Sequence, residues 1–256
     1  MTEYRYEFNV WEAAEALDGD RIDGASRNED DDFRGCSLEE AREYVRGGWD
    51  AGAAEIGARN PNFRVEEVPS FEYALAEDGS EVDVAAWLSG EPMHMGDWRA
   101  VPMPKPFVKI GVDVGANCNV STSSMLRVGR SVLSCVEQLR AMGYPTQIDA
   151  VWGISGSGGN RCEIKIRVQE SDQPIHGSLL AFFIAHPAAL RRVMFALGET
   201  LPMDVRRRFG FVRGSGYGMS GPSIWKNEYD EWAPSAERGE AAATQWVADV
   251  IGRRSQ

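Results

Sequence analysis

Apolar and polar positions alternate most regularly in residues 107–114. Val108, Ile110 and Val112 share one face, because alternate residues of a strand point the same way, and Gly111 leaves the other face open to a neighbour. From Ser121 to Gly143, apolar residues recur at three- and four-residue steps, as on one face of an amphipathic helix. The pattern predicts a central strand and then a long helix with the apolar positions Met125, Val128, Val132, Cys135, Val136, Leu139 and Met142.

The next stretch predicts a strand hairpin and a second helix. Residues 148–154 and 164–168 have strand patterns, and the Gly-rich residues 155–160 join them as a turn. A phosphate-binding loop is not indicated there, because a strand follows and the Gly-Lys-Ser/Thr ending is missing. Residues 178–186 predict an apolar helix. Residues 191–199 fit a buried strand or a helix, and we favour a strand because it would extend the sheet.

Outside this core, the patterns are shorter. Tyr4, Tyr6 and Phe8 predict a strand, residues 11–17 a helix, and Ser37 with Glu40 a capping box that starts a helix running to about Ile56. Further helices are predicted at 84–88, after Met203 and from about Ser235, with a Gly-rich strand or loop at 214–221. We expect an N-terminal α+β extension (1–106) packing on an α/β core (107–222), followed by a C-terminal helical segment (223–256).

The charge of the chain restricts its partners. With 27 basic and 39 acidic side chains, the net charge is −12, which repels a phosphate backbone, so we expect no nucleic-acid partner. The basic residues Arg191, Arg192 and 206–208 are expected on a solvated face. The longest apolar run, 179–185, is too short to span a bilayer, and we expect a cytoplasmic protein without membrane contact.

Carboxylates near the predicted strand ends are the candidate site. In an open α/β sheet, ligands bind beyond the carboxyl ends of the parallel strands. Asp113 lies at such an end, Asp172 precedes the second predicted helix, and Glu199 ends the 191–199 segment. For Asp113 alone, we expect hydrogen bonds from the backbone of its own loop and from the start of the Ser121 helix. Asp172 and Glu199 are expected to be solvated.

Residues 107–202 resemble a von Willebrand factor type A domain. Asp113-Val-Gly-Ala-Asn117 stands where that family carries Asp-x-Ser-x-Ser, and Gly198-Glu199-Thr200 where it often shows Ser-Asp-Gly. The resemblance implies a Rossmann-like, mostly parallel sheet flanked by helices, with one antiparallel edge strand. It also implies a magnesium site formed by Asp113, Asn117, Asp172 and Glu199. Gly115 offers no hydroxyl and Asn117 only a neutral amide, so we expect weak magnesium binding or no cofactor.

The expected function is protein interaction without catalysis. The whole layout also resembles uncharacterised proteins encoded by bacteriophages and related mobile elements, from which no activity can be carried over. We expect a role in assembly or as a virion-associated or accessory protein. No catalytic residues are assigned. The expected binding face contains Asn119, Ser121, Thr122 and His176, and the partner is another protein or a second copy of the chain. The alternative is a divalent-metal-dependent hydrolase or metal-dependent binding protein that uses the carboxylates at the strand ends.

Overall fold

A computed structural model describes residues 2–19, 24–28, 30–56, 67–104, 106–212 and 219–255. The chain divides into two compact units, Met1–Phe63 with Phe107–Gln256, and Arg64–Pro106. The smaller unit ends at the predicted boundary of 106, whereas the N-terminal strand and the C-terminal helix belong to the same unit as the α/β core.

The described strands and helices follow the chain in this order. The strands are β1 (Glu3–Asn9), β2 (Glu67–Ala76), β3 (Glu81–Val82), β4 (Met95–Pro104), β5 (Val108–Asp113), β6 (Thr146–Ser155), β7 (Arg161–Gln169), β8 (Met219–Ser220) and β9 (Glu231–Ala233). The α-helices are α1 (Val10–Asp18), α2 (Asp31–Arg34), α3 (Leu38–Gly47), α4 (Asp50–Ile56), α5 (Val84–Leu88), α6 (Thr122–Ala141), α7 (Gly177–Ala185), α8 (Phe195–Thr200), α9 (Met203–Phe209) and α10 (Gly239–Arg254).

The larger unit is built on a sheet with the strand order β1-β7-β6-β5-β9, and β8 pairs with the end of β6. The pairs β1–β7, β5–β6 and β5–β9 are parallel, whereas β6 and β7 are antiparallel. The predicted α/β fold with a mostly parallel sheet flanked by helices is confirmed. The antiparallel strand is not at the edge, however, because β1 pairs along the outer side of β7 from Glu3 to Asn9.

The two faces of the sheet are covered differently. Apolar side chains of β5, β6 and β7 join the main core together with α6 and α7, and α6 also packs against α10. The opposite face carries a smaller cluster in which Val151 packs with Trp225, Tyr229 and Trp232. The segment that follows β8 thus covers part of the second face and lies near the carboxyl end of β5.

The predicted strand at 191–199 is wrong. Residues Ala189–Met194 form a π-helix that continues into α8. Nearly every residue of this stretch is buried, including both arginines. A helix that is buried on all sides shows a continuous apolar run with no period, and a short run of this kind cannot be distinguished from a buried strand.

Arg191 and Arg192 are buried, which corrects the expected solvated face at these two positions. The Arg192 guanidinium donates to the carbonyls of Ser26 (2.8 Å) and Cys36 (3.0 and 2.9 Å) and to the carboxylate of Asp31 (2.7 Å). Arg191 donates to the carbonyls of Phe33 and Val120. Both side chains therefore fix the α2 region to the π-helix, which satisfies charged groups that would otherwise be costly to bury.

The helix predicted from Ser37 to about Ile56 is two helices. The predicted capping box is present: the Ser37 hydroxyl accepts from the Glu40 amide at 3.2 Å, and the Glu40 carboxylate accepts from the Ser37 amide at 2.9 Å. The helix stops because Gly48 has φ +88°, outside the helical region. The amide of the next residue, Trp49, donates to the carbonyl of Ser178 at 2.8 Å before α4 begins.

The smaller unit is an antiparallel sheet with the order β2-β4-β3 and one short helix. Asp83 caps α5 by accepting from the amides of Ala85 and Ala86, both at 3.0 Å. The helix at 84–88 was predicted, and its side chains Val84, Trp87 and Leu88 are exposed.

Most of the Gly-rich segment predicted at 214–221 lies outside the described residues, although Met219–Ser220 forms β8.

Within the described ranges, a single helix long and apolar enough to cross a membrane does not occur. One bent pair, α7 with Ala189–Thr200, meets the length and composition criteria, and its halves are inclined by 74°.

Candidate functional site

Asp113 is the last residue of β5, where the strand leaves the sheet. Its Oδ1 accepts a hydrogen bond from the amide of Gly115 at 3.0 Å, the local backbone contact expected for this carboxyl. A Cβ at position 115 would lie 2.9 Å from that oxygen, so a glycine permits the tight turn. Among the described residues, Oδ2 has no hydrogen-bond partner. One carboxyl oxygen is therefore held by the loop and the other is free.

Asp113 lies in the wall of a cleft of about 380 Å³. The opposite walls come from three segments: residues 222–226, the end of β9 with the residues after it, and the first turns of α10. Ala242 and Trp246 are spaced by four residues and so lie on one face of α10, and Arg238 directly precedes that helix. The other lining residues are Pro222, Ser223, Lys226, Trp232, Pro234 and Ser235.

A buried carboxylate fixes the wall at residues 222–226. The Ser223 hydroxyl donates to one Glu163 oxygen at 2.5 Å, and the amide of Ile224 donates to the other. The Ser223 hydroxyl also accepts from the amide of Trp225 at 3.1 Å. Burial raises the pKa of Glu163, whereas the hydrogen bonds from Ser223 and Ile224 oppose that shift. The segment is thus anchored to β7, which gives this side of the cleft a defined position.

The carboxyl of Asp113 has a strongly raised pKa. Burial is the largest cause and raises the pKa to about 7, and the charges of Glu163 and Glu237 act in the same direction. The Gly115 amide and Arg238 lower the pKa but do not compensate. Near neutral pH the carboxyl exists in both forms, so it can donate a hydrogen bond as well as accept one.

His186 and Asp113 both line a second, small interior cavity of about 20 Å³. Burial lowers the pKa of His186 to about 4, so the imidazole is neutral near neutral pH. Its Nδ1 accepts from the amide of Ala188 at 3.1 Å, and its ring contacts Trp49 at a centroid distance of 4.6 Å. Its contacts hold His186 in place as a neutral core residue.

The predicted binding face divides between two helix starts. Ser121 caps α6 by accepting from the Ser124 amide at 3.2 Å, and Thr122 is the first residue of that helix. His176 caps α7 through Nδ1, which accepts from the Leu179 amide at 3.2 Å. Asn119 is exposed in the loop before Ser121. The side chains of Ser121 and His176 stabilise helix ends, and none of the four predicted residues lines the cleft.

The four predicted metal ligands do not form a common site. Glu199 is buried in α8, where its carboxylate accepts from the amide (3.0 Å) and the hydroxyl (2.5 Å) of Ser26, so the expected solvation is wrong. Asp172 is exposed in the turn after β7. The backbone amide of Asn117 donates to the Glu237 carboxylate at 2.8 Å. In the part of the chain that the structure describes, no three His, Cys, Asp or Glu side chains are placed to hold a metal. These residues therefore do not fit a magnesium ion.

The residues around Asp113 were not found from the sequence, with one exception. Trp246 lies in the helix predicted from about Ser235, but that prediction does not show that its side chain lines a cleft. Trp232 lies in β9, which is only three residues long and gives no readable strand pattern. Its pairing next to β5 brings residues more than a hundred positions away to Asp113.

The fold and the cleft define an α/β protein with a cleft at the carboxyl end of β5. The chain belongs to a family described as a domain of unknown function (DUF7192), whose model matches residues 2–248. No curated protein matches the chain, and no solved structure matches it.

Proposed function

We propose that the protein is a non-enzymatic interaction module that binds another protein at the cleft beside Asp113. The observation that carries the proposal is the cleft itself, where two half-buried tryptophans, Trp232 and Trp246, lie beside two exposed cations. Its size falls in the range of binding sites, about 300–1,000 Å³. Tryptophan and arginine are enriched among the residues that dominate protein–protein binding energy.

We also propose a fold family and a biological role for the chain. The acidic end of β5 and the antiparallel β6–β7 pair favour a von Willebrand factor type A-like fold, although β7 is not at the edge of the sheet. We propose a place among bacteriophage or mobile-element proteins from the layout of the sequence alone. An assembly, virion-associated or accessory role is part of that proposal. The alternative, a metal-dependent hydrolase or metal-dependent binding protein, has less support because Glu199 is bonded to Ser26 and Asp172 lies in a separate turn.

A site-directed cross-link tests the proposal. Benzoylphenylalanine replaces Trp246 in one variant and Trp11 in the other, since Trp11 is 68% exposed on α1 and does not line the cleft. On irradiation in cells that naturally produce the chain, we expect a discrete adduct from position 246 that position 11 does not give. Mass spectrometry of the cross-linked peptide then distinguishes a particle protein, another protein and a second copy of the chain.

The control for this experiment is the folded state of each variant. Both variants should give the circular dichroism spectrum of the unmodified chain. If the position-246 variant is folded and gives no adduct, and benzoylphenylalanine at the cleft residue Lys226 also gives none, the cleft does not bind a protein and the proposal is contradicted.

A further inference from the structure

The cleft contains free hydrogen-bond donors. Lys226 and Arg238 are exposed, and neither side chain makes a hydrogen bond or ion pair with any residue that the structure describes. The hydroxyl of Ser235 likewise has no partner in the described chain, whereas Ser223 is already bonded to Glu163. Three donors of this kind suit a ligand that accepts hydrogen bonds and carries negative charge.

The local charge supports the same ligand type. Among the described lining residues Asp113 is the only carboxyl, so these residues carry a net positive charge even when it is ionised. The whole chain carries −12, so two cations without a carboxylate partner differ from the rest of the molecule, although the charges of Glu163 and Glu237 act on Asp113 from outside the lining. The carboxylate of the nearby Glu237 accepts a hydrogen bond from the backbone amide of Asn117. An anion can enter between Lys226 and Arg238 without displacing an existing ion pair.

Trp232 and Trp246 indicate which chemical group lies next to the anion in the ligand. Trp232 is held against Tyr229 at a ring-centroid distance of 5.5 Å, and Trp246 projects from the second turn of α10. Both are half-buried, so each leaves part of an aromatic surface in the cleft. Such surfaces bind apolar or aromatic groups and gain from ring–ring contact. The ligand that matches all these features carries an anion close to an apolar or aromatic group.

We propose that the cleft recognises a carboxylate next to an aromatic or large apolar side chain, presented by an acidic segment of a partner protein. This inference rests on the proposed function and adds the chemistry of the ligand. The free Oδ2 of Asp113 decides between a carboxylate and a phosphate. When protonated, it donates to a carboxylate, as in a shared-proton carboxyl pair, whereas the greater charge of a phosphate is disfavoured beside a carboxyl that is partly ionised.

This arrangement makes binding depend on pH. The charged and titratable groups around Asp113 are Glu163 on β7, Glu237 and Arg238 before α10, Lys226 in the opposite wall, and the neutral His186 across the interior cavity. Below about pH 7 the carboxyl of Asp113 is protonated and donates; above it, the carboxylate repels the ligand. Affinity should therefore fall as the pH rises from about 6 to about 8, by roughly tenfold.

The test uses N-acetyl-4-fluorophenylalanine and the full chain, with fluorine NMR to measure the dissociation constant. We expect the acid to bind at least about tenfold more tightly than its uncharged amide or than 4-fluorophenyl phosphate at about pH 6. Asp113→Asn should keep the binding and remove its pH dependence, because an amide can still accept from Gly115 and donate to the ligand. Arg238→Gln should weaken binding about tenfold, whereas the exposed Arg207→Gln on α9 should not.

Several results would overturn the inference. These are equal binding of the acid and the amide, tighter binding of the phosphate, no binding of the acid to the folded wild-type chain, or an unchanged pH dependence in Asp113→Asn. Competition separates the two proposals. Benzoylphenylalanine at the lining residue Ala242 leaves Trp246 in place for this competition. A cross-link from position 242 that the acid does not suppress contradicts the ligand chemistry and supports the interaction module. Binding of the acid without any cross-link supports the carboxylate chemistry and contradicts the proposed function.

Discussion

Asp113, which is half-buried, and His186, which is buried, are two titratable residues whose pKa values shift in opposite directions. The pKa of Asp113 is raised to about 7 from an unfolded value of about 4, so its contribution to stability is lost as the pH rises between these values. The pKa of His186 is lowered to about 4 from about 6.5, so its contribution is lost as the pH falls through that window. The two effects oppose each other between about pH 4 and about pH 6.5.

The substitution Asp113→Asn should separate these effects. Asparagine does not ionise, so the variant keeps at high pH the stability that the wild type loses. We expect the free energy of unfolding of the variant, relative to wild type, to rise between about pH 4 and about pH 7 and then level off. The gain should be roughly 1–3 kcal/mol, because solvent screens this partly exposed residue. Urea unfolding at a series of pH values measures it.

A matched control for this substitution is available in the exposed turn after β7. Asp172→Asn removes the same charge without changing the cleft, and its unfolding curve should stay parallel to that of the wild type across the pH range. If Asp113→Asn also follows the wild-type curve, the carboxyl of Asp113 is ionised at neutral pH and the described environment is incorrect.

At the residue scale, the sequence predicted the contacts that span a few positions. The caps at Ser37 and Ser121, and the bond from the loop to Asp113, depend on neighbours two or three residues away. The partner of Glu199, Ser26, is 173 residues away and was not predicted. The cations and tryptophans of the cleft were missed for the same reason, because only the tertiary fold brings them to Asp113.

Among the helices, the break between α3 and α4 depends on one backbone conformation. The sequence predicted one continuous helix from Ser37 to about Ile56, through Gly47 and Gly48. Gly47 is helical and ends α3, whereas Gly48 has φ +88° and ψ 173°, a region that is strained for any residue with a side chain. A Cβ at Gly48 would also lie 2.5 Å from the Cβ of Ser178. The sequence shows two glycines side by side but does not show which one leaves the helix.

Alanine substitutions at these two glycines should have opposite effects. Gly48→Ala should lower the free energy of unfolding by about 2–4 kcal/mol, because it combines backbone strain with the clash against Ser178. Gly47→Ala adds a methyl group that meets no atom within 4 Å and should raise it by about 0.5–1 kcal/mol. Urea midpoints at constant pH measure both. Equal effects of the two substitutions would contradict a break at Gly48.

At the scale of the whole molecule, the N-terminal strand completes the sheet. The sequence predicted both β1 and the β6–β7 hairpin, but it placed β1 in an extension outside the core. The register pairs Glu3 with Arg161, and a parallel pairing over that separation leaves no local signal in either strand. Part of the arrangement around β5 could be predicted from the sequence. Both a central strand at this position and the helix that follows it were predicted.

The cleft is also a property of the whole fold. Its walls come from the end of β5, the residues after β8, the end of β9 and the start of α10, and each segment alone is unremarkable in the sequence. The carboxyl end of a parallel strand was the right place to look, because helices and loops diverge there and leave a crevice. The sequence thus indicated the position of the site through Asp113, but not its other residues or its charge.

The most direct test of this account is a chemical-shift map of the full chain, labelled with nitrogen-15 and titrated with N-acetyl-4-fluorophenylalanine at about pH 6. We predict that the largest changes occur at the amides of Asp113 and Gly115 and at the indole N–H groups of Trp232 and Trp246. Changes centred instead on Asn119, Ser121, Thr122 and His176, or no saturable change in the cleft, would contradict the assignment of the binding site.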